Sequence, residues 1–215
     1  MVVSGCNRTL STLHPAGAAA AEIAEIWWVL LVGAVVIFVL VMGLLGLALL
    51  RGRPEGAEET AREGLWFWGL GLAFPMVTLS VLTGYGLVVG ERLQARATPD
   101  LVTVRAEARQ WSWSFGYADA PGRVTENVLH IPAGRPVDVE ITSRDVIHSF
   151  WVPRLAGKLD AIPGHVNRLR IEADLPGDYA GQSGEFSGRL YREHVFTLRA
   201  HDPAGWAAFL AGGEP

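Results

Sequence analysis

The sequence predicts an α+β membrane protein, a two-helix transmembrane hairpin followed by an all-β sandwich or barrel. Three observations carry that reading. Of 215 residues, 50% are hydrophobic and only 19% are charged. Two uncharged runs, Ile26 to Leu50 and Gly64 to Gly90, fill most of the N-terminal part. From Leu101 the pattern changes to short alternating segments punctuated by Gly and Pro. At about 1.5 Å of rise per residue, either run outlasts a hydrocarbon core of about 30 Å. A wholly soluble protein is thereby excluded, and so is a many-span channel or transporter.

Residues 1–21 are small and polar and read as an extended lead-in. Residues 22–90 form the hairpin, with helices at about 26–50 and 65–89. Trp27 and Trp28 open the first helix, and Trp66 and Trp68 the second, at the level where aromatic belts sit. Pro75 is expected to kink the second helix. Arg51 to Glu63 is a short hydrophilic turn, so the helices run antiparallel and both termini lie on one side. Gly43, Gly46, Gly69 and Gly71 either allow close helix approach or simply face lipid. Arg51, Arg53 and Arg62 in the turn are offset by Arg92 and Arg96 after the second span, so loop charge leaves the orientation open.

Residues 91–215 form the soluble domain. Val102-Val104-Ala106, Val128-His130, Val137-Val139-Ile141, Leu169-Ile171 and Val195-Thr197-Arg199 alternate as half-buried strands do. Pro121-Gly122, Ala133-Gly134, Pro163-Gly164 and Pro176-Gly177 separate them, the punctuation of an all-β sandwich or barrel. Asp202 followed by Pro203 predicts a short closing helix with Asp202 as N-cap.

From Glu91 onward 14 Lys and Arg stand against 16 Asp and Glu, near neutrality. No basic stripe is present, which argues against nucleic acid as a partner. Cys6 is the only cysteine, so no internal disulfide and no thiolate metal site in the C-terminal domain are expected. Val3-Ser4-Gly5-Cys6 resembles a bacterial lipobox, which leaves Cys6 as either a lipidation site or a free thiol.

Three motifs then point to a family. They are Asp145-Val-Ile-His148-Ser-Phe-Trp-Val-Pro153, Lys158-Leu-Asp160-Ala-Ile-Pro163-Gly164-His-Val-Asn167, and Gly177-Asp-Tyr179-Ala-Gly181-Gln182-Ser183-Gly-Glu185-Phe-Ser187-Gly188. Together with the aromatic run Gln110 to Tyr117 and the hairpin, they closely resemble subunit II of the haem–copper respiratory oxidases. The resemblance runs from about Ala21 to Leu210. It implies a cupredoxin-like barrel as the C-terminal domain.

In many members that barrel holds a dinuclear copper centre fed by cytochrome c, on the motif Cys-x-Glu-x-Cys-x3-His-x2-Met plus an earlier His. The resemblance maps the earlier His to His148, the cysteines to Ser183 and Ser187, the later His to Tyr191 and the Met to His194. Only His148 and Glu185 match. Serine hydroxyls neither bridge two coppers nor neutralise their charge at neutral pH, so no dinuclear copper is expected. The pattern resembles the quinol-oxidising branch of the family, in which subunit II keeps the barrel without copper.

The other positions carry weaker expectations. Any joint metal site of His148, His165 and His194 would lack thiolate and Met, which excludes blue copper. The simpler reading is scattered surface or loop histidines, with His148 hydrogen-bonded inside the barrel. In copper-containing relatives the carboxylate matching Glu185 reaches an Mg²⁺ at the subunit I interface, so Glu185 is either an Mg²⁺ contact or a structural carboxylate. Trp111 matches an electron-entry position, but without copper behind it Trp111 and Trp113 read as packing aromatics. Asp160, Pro163 and Gly164 are expected to shape the loop facing subunit I. Trp68 replaces a Glu that lies near a proton-channel mouth in many relatives, and Glu63 is too far upstream to substitute for it.

The resemblance therefore implies subunit II of a bacterial terminal oxidase reducing O₂ to water with proton translocation, and most directly a ubiquinol oxidase. Its partners would be subunits I and III and membrane lipid. Haems and catalytic copper would lie in subunit I, with no cofactor and no catalytic residue in this chain. It would sit in the bacterial inner membrane with its C-terminal domain on the periplasmic side. Two alternatives stay open: a cytochrome c oxidase subunit II with a degenerate copper site, and a stand-alone membrane-anchored cupredoxin-like binding module.

Overall fold

A computed structural model describes residues 8–51, 64–94, 98 and 100–213. Cys6, Arg53, Arg62 and Glu63 lie outside the described residues. The chain divides into two compact units, one of Met1–Ile26 with Ala95–Pro215 and the other of Trp27–Gln94.

The first helix, α1, spans Ala18–Arg51. The second apolar run begins π-wound over Leu65–Ala73 and continues as α2, Phe74–Arg92. Phe74 N–H donates to the Gly69 carbonyl, five residues back. The winding changes beside Pro75, which has no N–H to offer either ladder. Both runs are long and apolar enough to cross a membrane, and only 0% and 6% of their most apolar windows are buried within the structure. A core helix of a soluble protein would hide that surface; these leave it for lipid.

The C-terminal part is a sandwich of two five-stranded mixed sheets, in the orders β3-β2-β1-β5-β8 and β4-β10-β9-β6-β7. The first comprises β1 (Val102–Arg109), β2 (Ser112–Tyr117), β3 (Ala120–Glu126), β5 (Val137–Ser143) and β8 (Asn167–Ile171). The second comprises β4 (Val128–Pro132), β6 (His148–Trp151), β7 (Leu159–Ala161), β9 (Gly177–Ser183) and β10 (Val195–His201). Alternation builds the core: Val102, Val104, Ala106 and Ala108 of β1 are buried while their neighbours face out. Trp113, Phe115, Phe150, Leu129, Ile131, Ile141 and Leu198 are fully enclosed between the sheets. Asp202 accepts the Gly205 N–H at 2.6 Å and caps α3, Pro203–Leu210.

One segment departs from expectation. The lead-in is not simply extended. Ala16 N–H donates to the Arg154 carbonyl at 2.7 Å, Asp174 N–H to Ala16 at 2.9 Å, and Arg154 Nε to the His14 carbonyl at 2.9 Å. Ala20 and Ala24, in the first turns of α1, are buried. Small residues make this docking possible: a Cβ on Gly17 would overlap the Glu172 carbonyl oxygen.

Candidate functional site

The motifs converge at one end of the sandwich. His148 opens β6, opposite Ala161 of β7, and Phe150 lies opposite Ser183, the last residue of β9. The chain then loops through residues 184–194 and re-enters as β10. Ser183 N–H donates to the His194 carbonyl and Gly184 N–H to the Ser149 carbonyl, each at 2.9 Å, which closes the loop onto β6.

His148 is 0% exposed. Its Nε2 lies 2.9 Å from Asp145 Oδ1. The Asp145 carboxylate also accepts N–H groups of Gln110 (2.7 Å) and Val146 (2.6 Å). Burial alone would raise the Asp145 pKa; these donors outweigh it and hold the group at about 2. Asp145 is thus an anion that fixes the ring of His148. The bond reaches from the buried ring to an exposed residue on the loop before β6 and does not lie inside the barrel.

His194 is also 0% exposed. Its ring stacks on Trp113 with centroids 5.3 Å apart, and meets His148 edge to face at 4.8 Å. Burial first, then the neighbouring His148, pushes its pKa down to about 4, against the pull of the Ser112 carbonyl and Asp145. His194 is therefore neutral at pH 7. His165 is elsewhere: it is exposed and bonded to Asn167 Oδ1 at 3.1 Å. Scattered surface histidines describe His165 and not the other two.

Ser183 and Ser187 are both buried. Ser183 Oγ accepts the Ser149 N–H at 3.3 Å. The Ser187 carbonyl accepts Gln110 Nε2 at 2.7 Å. Tyr191 is half-exposed, its ring 5.2 Å from that of Phe186, and its hydroxyl accepts Arg192 Nε at 3.3 Å. Glu185 points outward at 42% side-chain exposure, 3.8 Å from Lys158 Nζ, with its other oxygen accepting the Phe186 N–H. Trp113 is buried at the core of β2, whereas Trp111 precedes the strand and lies against Gly188. Gly188 has φ +121 and no Cβ, which permits this contact. Pro163 forms an isolated bridge to Ser143, Gly164 turns at φ +73, and the Asp160 carbonyl accepts Asn167 Nδ2 at 2.7 Å.

The same end is unusually apolar outside. Phe186 is 70% exposed, and Val146, Ile147, Val166 and Leu190 are exposed around it on the neighbouring loops. A cluster of this kind marks a contact surface.

Comparison with known proteins supports one family. The profile "Cytochrome C oxidase subunit II, periplasmic domain" matches residues 123–197. Residues 123–197 thus match the subunit II periplasmic domain, and the chain as a whole is similar to subunit II of the haem–copper oxidases. A subunit II named quinol oxidase subunit 2, from Bacillus cereus, is 27% identical over 209 residues, covering 93% of this chain and 72% of its own length. Cytochrome c oxidase subunit 2 of Alkalihalophilus pseudofirmus is 29% identical over 229 residues, covering 99% of this chain and 65% of its own. The crystal structure of the periplasmic domain of subunit II of cytochrome oxidase of Bradyrhizobium japonicum shares the fold, with TM-score 0.52 and 24% identity over 56% of this chain and 96% of that one. This subunit II is accordingly a membrane-anchored component of a respiratory oxidase complex.

Proposed function

We propose that the chain is subunit II of a bacterial quinol-oxidising haem–copper terminal oxidase, which reduces O₂ to water and translocates protons. One observation carries the reading: Ser183 and Ser187, both buried, stand at the motif positions where a dinuclear copper centre needs two bridging thiolates. The residues do not fit such a centre. The later His of its ligand set is matched by Tyr191, which points away from the pocket toward Phe186. Without an electron relay the domain has no means of accepting electrons from cytochrome c.

Charge agrees with this. The loop that would meet a basic cytochrome offers Arg189 and Arg192 alongside Glu185 and Glu193. Association rates gain from opposed charge, and this loop offers no acidic excess. In this reading electrons enter subunit I from ubiquinol, and haems and catalytic copper belong there. Subunit II caps the outer, periplasmic face of subunit I in the inner membrane, with subunit III as a further neighbour. The exposed apolar cluster at Phe186 fits that docking. Asp160 of β7, and Pro163 and Gly164 on the loop that follows it, belong to the contact. Glu185 supplies one outward carboxylate to an interfacial Mg²⁺, with partner groups and water completing the shell.

The test is oxygen consumption by the purified complex with ubiquinol against reduced cytochrome c. Turnover with quinol and none with cytochrome c is expected. Turnover with cytochrome c, and two copper atoms in the β domain, would sink the proposal in favour of a cytochrome c oxidase. A chain that purifies without a haem protein would favour a stand-alone module.

A further inference from the structure

The docked lead-in helps to form a cavity. Ala20 N–H donates to the Leu155 carbonyl at 3.2 Å. Ala20 and Ile23 of α1 then line, with Trp151, Pro153 and Ala156, a space of about 340 Å³. That is the size of a small-molecule pocket. Apart from Thr12 and Lys158, its walls are apolar or aromatic. Small residues keep it open: a Cβ on Gly157 would meet only Ile23 Cδ1, at 3.6 Å. Apolar walls of this kind favour an apolar occupant over water.

The position of the cavity points to its occupant. Ile23 lies three residues before Ile26, where the uncharged run begins, about 4.5 Å along a helix. Trp27 and Trp28 follow, residues that sit at the level of lipid headgroups. A membrane phospholipid therefore reaches the cavity with one acyl chain while its bulk stays in the bilayer. Lys158 matches the phosphate. Its Nζ is half-exposed and donates to the Gly184 carbonyl at 3.2 Å, and an ammonium has further protons to give. Glu185 lies 3.8 Å from it, and Glu22 and Glu25 share a turn of α1 with Ile23. A headgroup of net negative charge gains nothing among these carboxylates, whereas a zwitterionic one is not repelled.

We propose that this cavity holds one acyl chain of a zwitterionic membrane phospholipid, with the lipid phosphate at Lys158. The acyl chain packs between the first turns of α1 and residues 151–158 and holds the two together. This inference rests on the apolar spans and the docked lead-in, goes beyond the quinol reading and does not depend on it.

The experiment is native mass spectrometry of the delipidated full chain in detergent, titrated with dioleoylphosphatidylethanolamine. Expected is one lipid bound per chain well before any other. Dioleoylphosphatidylglycerol should bind no tighter, and dioleoylglycerol, which lacks the phosphate, more weakly. Gly157→Leu fills the cavity and should weaken the first binding at least about tenfold, the loss that expelling two methylenes predicts. Val124→Ala, an exposed apolar change on β3, should leave it unchanged. Lys158→Gln should erase the preference over dioleoylglycerol. If Gly157→Leu does not fold, Trp151 supplies the reading: a phosphatidylethanolamine with dibrominated chains should quench the parent's fluorescence more than that of Trp151→Phe. First binding that survives Gly157→Leu, or equal quenching in the two proteins, overturns the inference, leaving the lipid on the spans and the cavity to a protein neighbour. Tighter binding of phosphatidylglycerol overturns it as well. Each of these results leaves the quinol reading standing, since oxygen consumption decides that.

Discussion

His130 Nδ1 and His201 Nε2 lie 2.8 Å apart, one ring donating to the other, at the far end of β10 from His194. The His130 ring stacks on Phe209 of α3 with centroids 4.4 Å apart. Its backbone N–H donates to the Tyr117 hydroxyl at 3.1 Å. The pair thus joins β4, β10 and the closing helix.

That pair should make folding stability depend on pH. Burial first, then His201, Arg199 and Arg123, hold the His130 pKa down to about 4, while Asp178 opposes them. Burial first also lowers His201. The unfolded chain therefore binds protons before the folded one as pH falls below about 6.5. His130's contribution is intact above that value and drains away toward pH 4, an effect on the order of 2 kcal/mol. Thermal unfolding of the full chain should show a falling midpoint across this window. His130→Phe should flatten the curve there; an unchanged slope would count against the pair.

Gly181→Ala should damage the core. A Cβ there would collide with the ring of Phe196, which is itself wedged among Trp113, Phe115 and Phe150. Overpacking of this kind costs about 1–3 kcal/mol. A midpoint within error of the parent would show that the Phe196 ring can yield.

Gly17→Ala should lift the N-terminal segment off the β domain. Here the obstacle is the Glu172 backbone oxygen, which cannot swing aside as a side chain can. Proteolytic cleavage between residues 8 and 17 should become faster in the variant, with the core's resistance retained. Equal cleavage rates would mean the segment is held elsewhere.

Copper binding can be tested by restoration. The fourfold change S183C, S187C, Y191H and H194M should create a purple centre with two coppers per chain. Ser183 and Ser187 are already buried, whereas Tyr191 is half-exposed and must turn inward for its replacement to ligate. A variant that folds but takes up no copper would show that these four positions are misassigned.

The two spans and five of the ten strands (β1, β4, β5, β8 and β10) were legible because each leaves a local periodic trace. A lipid-facing helix must stay apolar for its whole length, and a half-buried strand must alternate. The cap at Asp202 is equally local, needing only the N–H of Gly205. The lead-in misled because residues as small as Ala16, Gly17 and Ala20 carry no amphipathic signature, yet smallness is what lets that segment pack against residues 154–155 and 172–174. The Asp145–His148 contact, three residues apart, had a trace in the motif itself. The His130–His201 pair had none, since only the parallel register of β4 on β10 brings the two strands together.

By itself, then, the chain's order of residues determined a membrane hairpin and an all-β domain. Tertiary structure alone decided which polar groups are enclosed and what they face. Tyr191 turns out to the surface and His194 turns in, although both lie on one short loop. The reason is range: periodicity is set by neighbours in the chain, whereas the burial of a histidine depends on strands that pair across dozens of residues.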